Sequence, residues 1–574
     1  WIGGTAEGWE RAPYWLDGLI PLAFLLDDPT LKDKIHTWMD YILTHQHDDG
    51  WLGPVLDEKY GYAYDPWPIF VILKALTQYE EATGDPRVIP AMGRVMQKVQ
   101  EVLTQNPLSS WARMRSADFL LSVFWLYRRT NEAWLLDLAR LVQEQGYDWA
   151  AQFANFPYTE RQTEWQYENH LVNHMMALKQ PGVLYQLAHK EGTQEARQQI
   201  ETMLATLERY HGQATGMFSG DEVLAGKHPS QGAELCAVVE YMFSMEVLLS
   251  ILGDAELADR LERITYNALP ATLTPDMWAH QYDQQPNQVL CAVSEDHIFT
   301  TNGPESNLFG LEPNFGCCTA NMHQGWPKFA QSLWMQSGDK GLSAVAYAPC
   351  HVETTVADVP VQIDVRTDYP FEEIVRITVS AQQTVDFPLF LRIPGWAQGA
   401  TLTVGEETSR RVQPGTFYRL ERTWGEALTV SLHLPMTIKT QIRYLNSVSL
   451  ERGPLVYALS LGEEWRQLRG ERPHADWEVY PTTPWNYALH IDPAHPGESC
   501  KVEAQPVKER PFSPEGAPVH IEVQGSRLPE WGLEHNAAAA PPASPVETSE
   551  PLEDLVLLPY GSTNLRVTEF PWFK

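Results

Sequence analysis

The spacing of the apolar residues changes once along this chain, and the change divides it into two folding regimes. From Glu10 to about Ser337 apolar side chains recur every three or four residues, as in Ile35, Trp38, Met39 and Ile42, or Leu120, Val123, Phe124 and Tyr127. That interval collects them on one face of a helix. After Gly341 the interval falls to two, as in Val361-Gln362-Ile363-Asp364-Val365-Arg366 and again over 427–434, which is the alternation of a half-buried strand. The expected fold class is therefore a multi-domain α plus β protein, helical first and β-rich second. With 574 residues the chain is about four times the ~150 residues of a single domain.

Within the helical part, polar turns restart a helix at Asp28-Pro29, Gly84-Asp85-Pro86, Thr130-Asn131-Glu132, Gly192-Thr193-Gln194 and Gly253-Asp254-Ala255, at intervals of roughly 46 to 62 residues. Each interval holds a pair of helices. Five restarts and a last helix from about Ala320 to Met335 predict an (α/α) toroid over 1–338 with the site at its mouth; an open helical solenoid is the alternative. Residues 339–445 read as a β-sandwich, with Phe390–Ile393 and Gly415–Leu420 near its edges. Residues 446–574 form a second β-rich region whose last strand is Leu555–Leu558, with Ala- and Pro-rich 537–551 as a flexible linker. The chain opens on Trp1 rather than Met, so an upstream piece is expected and the compartment stays unassigned.

Composition removes some function classes. Forty-two Lys and Arg against 74 Asp and Glu give a net charge of −32, a field that repels phosphate backbones, so no nucleic acid partner is expected. No uninterrupted apolar run approaches the ~18 residues of a membrane span, and no membrane partner is expected either; a homodimer is compatible with the sequence. Six cysteines in a chain of this length are too sparse for a disulfide scaffold. Phosphate-binding glycine loops and the serine-hydrolase elbow do not stand out.

Cys317 and Cys318 are adjacent, and two neighbouring thiols close only a strained ring when oxidised, whereas both can reach one soft cation. Glu234 precedes Cys236 by two residues, so the pair can face one metal only if the segment is extended before a helix Ala237–Leu252 begins, an entry that Gly232 favours. Glu234, Cys236, Cys317 and Cys318 then make a four-ligand zinc site; a buried apolar Cys236 and a helix-terminal Glu234 are the plainer alternative. The glycine-punctuated loop 216–222 ends in Asp221 and Glu222, candidates for a general acid or simply a solvated turn. His170 and His174 share a helical face without the glutamate of a zinc-protease motif, so His170 is read as a substrate hydrogen-bonding residue and His174 as core. Trp1, Trp9, Tyr14 and Trp15, with Glu10 and Asp17, suit sugar rings or an aromatic core equally well.

Four features in order, Gly8-Trp9-Glu10-Arg11-Ala12-Pro13-Tyr14-Trp15-Leu16-Asp17-Gly18, Asn169-His170-x-x-Asn173, Glu234-x-Cys236 and Cys317-Cys318, resemble glycoside hydrolase family 127, the β-L-arabinofuranosidase-like proteins. The resemblance covers the helical half and the first sandwich. It implies an (α/α)6 barrel with Zn2+ held by Glu234, Cys236, Cys317 and Cys318, with Cys317 as nucleophile and Glu222 as acid/base. It further implies retaining hydrolysis of a furanoside such as β-L-arabinofuranose in a plant-type glycan, with His170 and Tyr282 as substrate contacts. Two departures, Thr319 after the cysteine pair and a short interval between Glu222 and Glu234, keep Asp221 as a rival acid beside its expected place at the substrate. A silent glycan-binding protein with structural zinc, and a metal-free (α/α) uronide lyase or hydrolase, are the alternative functions.

Overall fold

A computed structural model describes residues 1–2, 8–55, 63–187, 193–311 and 316–574. Gly192 of the fourth restart signal lies outside the described residues. Six inner elements form a closed ring, each packed on the next and the last on the first: Arg11–Leu25, Pro66–Thr83, Ser116–Thr130, the short pair Leu171–Ala177 and Gln180–Leu184, Leu235–Leu252, and the pair Gly316–Asn321 and Gly325–Gln331. Outer helices Pro29–Thr44, Val88–Gln105, Trp134–Gln145, Thr193–His211 and Ala255–Tyr266 back the first five in turn. Ring closure excludes the open solenoid.

The two helix classes differ in sequence for a physical reason. An inner helix has protein on every side, so Pro66–Thr83 buries each residue from Trp67 to Leu76. An outer helix has one wet face, and Val88–Gln105 buries only the stripe Val88, Ala91, Met92, Val95, Met96, Val99 and Leu103. The restart signals act as caps: Asp28 accepts the Leu31 amide at 2.9 Å, and Gly84, Asn131 and Gly253 end their helices in the left-handed region at φ 66°, 55° and 67°. Leu235–Leu252 is long and apolar enough to cross a membrane by length and composition, but 72% of it is buried inside the protein.

The continuous last helix expected over Ala320–Met335 is instead broken. A 3-10 turn Met322–Gln324 separates its two helical pieces, and Trp334–Gln336 is already a strand paired with Leu342–Ala344; pairing across the turn overrides helical spacing there. A six-stranded and a four-stranded sheet then form the first β unit, the latter built on Val385–Ile393 against Thr416–Trp424. Fully buried Arg392 joins this unit to the toroid by ion pairs to Asp259 and Glu262 of Ala255–Tyr266.

A nine-stranded sheet spans Ile438 to Phe573, with Leu552–Pro559 between Leu455–Ser460 and Val519–Arg527. Residues 537–551 are corrected from a free linker to a docked strap. Ala537–Ala538 is a buried strand, the Val546 amide donates to the Trp572 carbonyl, and Ser230 donates to the Ala538 carbonyl at 2.7 Å. Small alanines and prolines allow that close packing. The same sheet braces segment 281–288 of the toroid: Tyr560 donates to Gln284 Oε1 at 2.9 Å, Arg566 to the Gln285 carbonyl at 3.1 Å, and Gln288 to the Asn564 carbonyl at 2.7 Å.

Candidate active site

The N-terminal ends of the inner helices meet around a cavity of about 580 Å³. Glu234 reaches it because Ala233–Glu234 is a short strand paired with Asp283–Gln284, leaving Glu234 extended at φ −62°, ψ 136°. The helix begins at Leu235, two residues earlier than the sequence suggests, so Cys236 sits in its first turn. A Cβ on Gly232 would come within 2.8 Å of the Asp283 carboxyl, so only glycine fits the approach to this pairing. Cys317 and Cys318 lie in the first turn of Gly316–Asn321.

One ligand atom from each of Glu234, Cys236, Cys317 and Cys318 lies within 4.8 Å of the others, and the Cys236 and Cys318 sulfurs are 3.4 Å apart. Tetrahedral zinc with ~2.3 Å bonds to sulfur sets neighbouring sulfurs ~3.8 Å apart, so the four groups fit one ion. Glu234 Oε2 is buried and without a hydrogen-bond partner among the described residues. Hydrogen bonds from Cys236 and Cys318 hold the Cys317 thiol well below its ordinary range. The bond to Cys317 pushes Cys236 well up, and burial does the same to Cys318. Glu234 is also pushed well up, first by burial and then by Glu222 and Cys317. Four convergent acids, only one of which ionises easily unaided, form a ligand set whose remaining protons a cation displaces. His170, Glu222 and Glu234 also lie within 4.8 Å of one another, but the Glu222 oxygens there already accept hydrogen bonds.

Glu222 has φ 151°, a backbone conformation that side-chain-bearing residues seldom adopt and that clusters at functional sites. Its Oε2 accepts from His170 Nε2 at 2.9 Å and Trp165 Nε1 at 3.1 Å, and its Oε1 accepts from the Tyr282 phenol. Burial alone would raise its pKa; the His170 ring and these three donors outweigh that and hold it below the ordinary glutamate value. His170 caps Leu171–Ala177, its Nδ1 accepting the Asn173 amide at 3.4 Å. Nε2 is therefore the ring nitrogen that faces Glu222. Burial, then Glu234 and Glu222, pushes the Tyr282 hydroxyl well up, so it remains a donor.

The residues proposed from sequence thus separate. Cys236, Cys317, Glu222, Glu234 and His170 line the cavity, whereas Cys318 is fully buried behind it. Tyr282 is also fully buried and stands behind Glu222 rather than in the wall. Asp221 is buried away from the cavity and spends Oδ2 on the amides of Thr300, Thr301 and Asn302, so it is corrected from acid or substrate contact to a loop anchor. His174 is core, packed on Trp149 and Phe153, and burial lowers its pKa to about 3. Of the opening aromatic stretch, Trp9, Glu10 and Tyr14 reach the mouth; Asp17 instead pairs with Lys328 at 2.6 Å inside the barrel.

Sequence reasoning missed Trp111, Arg115, Trp165 and Thr301, which also line the cavity. Trp165 carried a signal, being the sole large apolar residue in polar 159–166. Trp111 packs edge-on against Trp165 at 5.6 Å and His170 at 5.2 Å, and the Arg115 guanidinium lies 4.4 Å over the Trp111 ring. Aromatic walls beside carboxylates and hydrogen-bond donors are a surface for a sugar ring.

Residues 4–331 match the description "Beta-L-arabinofuranosidase, GH127 catalytic domain" and residues 341–436 match "GH127 middle domain". Among solved structures, a glycoside hydrolase superposes with TM-score 0.72 at 19% identity over 98% of this chain and 92% of its own. A GH127 beta-L-arabinofuranosidase from Geobacillus stearothermophilus T6 gives 0.69 at 19% over 99% and 90%. A further GH127 beta-arabinofuranosidase gives 0.69 at 15% over 100% and 90%. At these identities the superpositions establish the fold alone. Comparison with curated proteins finds no match.

Proposed function

Because this chain belongs to glycoside hydrolase family 127, we propose that it releases a β-linked furanose, β-L-arabinofuranose foremost, from a glycan by retaining double displacement at Cys317. One observation carries the reading. Cys317 is the least buried of three convergent thiols, and it lines the same cavity as the strained, triply hydrogen-bonded Glu222. Glu234 lies within 4.8 Å of both, so nucleophile and acid face one small volume, as a retaining mechanism needs.

Glu234, Cys236, Cys317 and Cys318 would hold Zn2+, which accepts thiolate and carboxylate ligands in a four-coordinate site and whose charge would keep the sulfurs ionised. Four ionised ligands exceed a dication by about two negative charges, and this excess faces Glu222, opposing the pull of His170 and returning the carboxyl towards its protonated form. Glu222 gives its proton to the departing glycosidic oxygen as the Cys317 sulfur bonds the anomeric carbon. It then takes a proton from water, whose oxygen displaces the sulfur on the opposite face and regenerates the thiolate. Two inversions give net retention. Tyr282 and His170 hold the carboxyl between these two duties, and Trp111 and Trp165 offer faces to the sugar.

The test is covalent. A β-L-arabinofuranosyl analogue bearing a cysteine-reactive group should label Cys317 once per chain, and free L-arabinose should protect it. Cys317→Ser should abolish turnover per bound zinc, whereas Cys318→Ser should retain it wherever zinc is retained. Label on Cys291, Cys350 or Cys500 instead, or turnover persisting in Cys317→Ser, would refute the nucleophile.

A further inference from the structure

The loop that carries Thr301 into the cavity is clamped more tightly than an ordinary surface connection. Asp221 Oδ2 accepts three consecutive amides, Thr300 at 2.6 Å, Thr301 at 3.0 Å and Asn302 at 3.3 Å. A carboxylate oxygen gathering successive backbone N–H groups fixes the peptide planes of all three residues. The Asn302 side chain donates to the Asp221 carbonyl and, at 3.1 Å, to Asp283 Oδ2; Asp283 is the strand partner of Glu234. On the other flank Arg161 donates to Thr300 Oγ1 at 3.0 Å and to the Ile298 carbonyl at 2.6 Å. Asp221 itself immediately precedes Glu222. Acid, metal-ligand strand and loop therefore share one hydrogen-bonded frame.

At the centre of that frame Thr301 lines the cavity, and its Oγ1 is sealed from solvent with no hydrogen-bond partner among the described residues. The contrast with Thr300, whose hydroxyl is engaged by Arg161, is chemical. A buried hydroxyl without a partner costs free energy that an isosteric valine would not. Threonine populates more than one χ1 rotamer, and a χ1 turn towards the cavity breaks no existing hydrogen bond.

We propose that Thr301 is a specificity-determining residue whose hydroxyl bonds a hydroxyl of the bound furanose, and that Asp221 is the positioning residue that presents it. The inference rests on the furanosidase reading above. It assigns to one position the rejection of sugars lacking the matching hydroxyl, because a site built to hydrogen-bond a hydroxyl discriminates strongly against the analogue without it.

The experiment compares wild type, Thr301→Val, Thr301→Ser, Asp221→Asn and Asp221→Ala on 4-nitrophenyl β-L-arabinofuranoside and its 2-, 3- and 5-deoxy analogues, with L-arabinose binding measured by calorimetry. Thr301→Val should lose about 5- to 100-fold in kcat/KM on the parent. On one deoxy analogue it should equal wild type, and Thr301→Ser should recover most of the parent rate. Asp221→Ala should flatten the parent-to-deoxy ratio as Thr301→Val does, while Asp221→Asn, which keeps an acceptor oxygen, should preserve it. Equal loss on parent and all three analogues marks a structural effect and overturns the proposal, as does an unchanged ratio in Thr301→Val. Wild type that binds L-arabinose, with weaker binding in Thr301→Val, but never turns over the parent overturns the proposed reaction and leaves the Thr301 contact standing. Wild type that neither binds nor hydrolyses overturns both.

Discussion

Glu222→Gln is the sharpest probe of the division of labour in the site. Glu222 accepts three hydrogen bonds on two oxygens, two on Oε2 from His170 and Trp165 and one on Oε1 from Tyr282. A glutamine whose oxygen takes the Oε2 position keeps the first two. Its amide group then faces Tyr282, whose hydroxyl can rotate to accept, so the reorganisation costs only about 1 kcal/mol and the fold should stand. The catalytic loss is much larger, because a positioned general acid supplies about 10²- to 10⁴-fold, or about 2.7 to 5.5 kcal/mol of barrier. That loss falls on leaving groups that need a proton. The assay is kcat/KM across a series from dinitrophenyl to alkyl and sugar leaving groups. The variant should approach wild type for the first step on the most acidic phenol and fall by the full factor on the alkyl glycoside. Its second step, deprived of a base, should show a burst of phenol and be accelerated by azide, which attacks without deprotonation. A uniform loss across the series, with no burst and no azide effect, would refute Glu222 as acid/base.

Two further outcomes concern the scaffold. Burial depresses the His174 pKa to about 3 against ~6.5 for an unfolded histidine, so the unfolded chain takes up this proton first. The stability from keeping the ring neutral is whole above ~6.5 and drains as pH falls towards 3. Between pH 6.5 and 5 wild type should lose about 2 kcal/mol more than His174→Gln in urea unfolding, and identical slopes would show that the ring is not buried neutral. Arg392→Met should destabilise the chain by about 3 to 5 kcal/mol by stranding Asp259 and Glu262, with partial recovery when Glu262→Gln is added; a loss under about 1 kcal/mol would show that the buried pairs contribute little.

The ring of helices was legible because its punctuation is local. Asp28, Gly84, Asn131 and Gly253 announce their roles within a turn or two of chain, since capping and left-handed backbone depend on near neighbours. The last helix was not legible in the same way. Trp334 and Met335 continue a helical apolar spacing, but their fate is set by a partner strand, Leu342–Ala344, and strand pairing is a tertiary fact that spacing does not carry. The same limit explains the strap at 537–551: alanine and proline signal a linker by composition, while its docking depends on the Ser230 hydroxyl some three hundred residues away.

The site divides along the same line. Glu234, Cys236, Cys317 and Cys318 could be grouped because their residue types are rare and their chemistry specific, whereas Trp111, Arg115 and Thr301 are ordinary residues that ring closure brings to the cavity. The adjacency of Cys317 and Cys318 carries one more step. Successive residues on a helix point about 100° apart, so two neighbouring cysteines in the first turn present their sulfurs to different surroundings even where both reach one centre. Here Cys317 lines the cavity and is partly exposed, whereas Cys318 is fully buried. On the proposed reading, this difference in exposure separates the thiol that attacks, Cys317, from the thiol that only holds, Cys318.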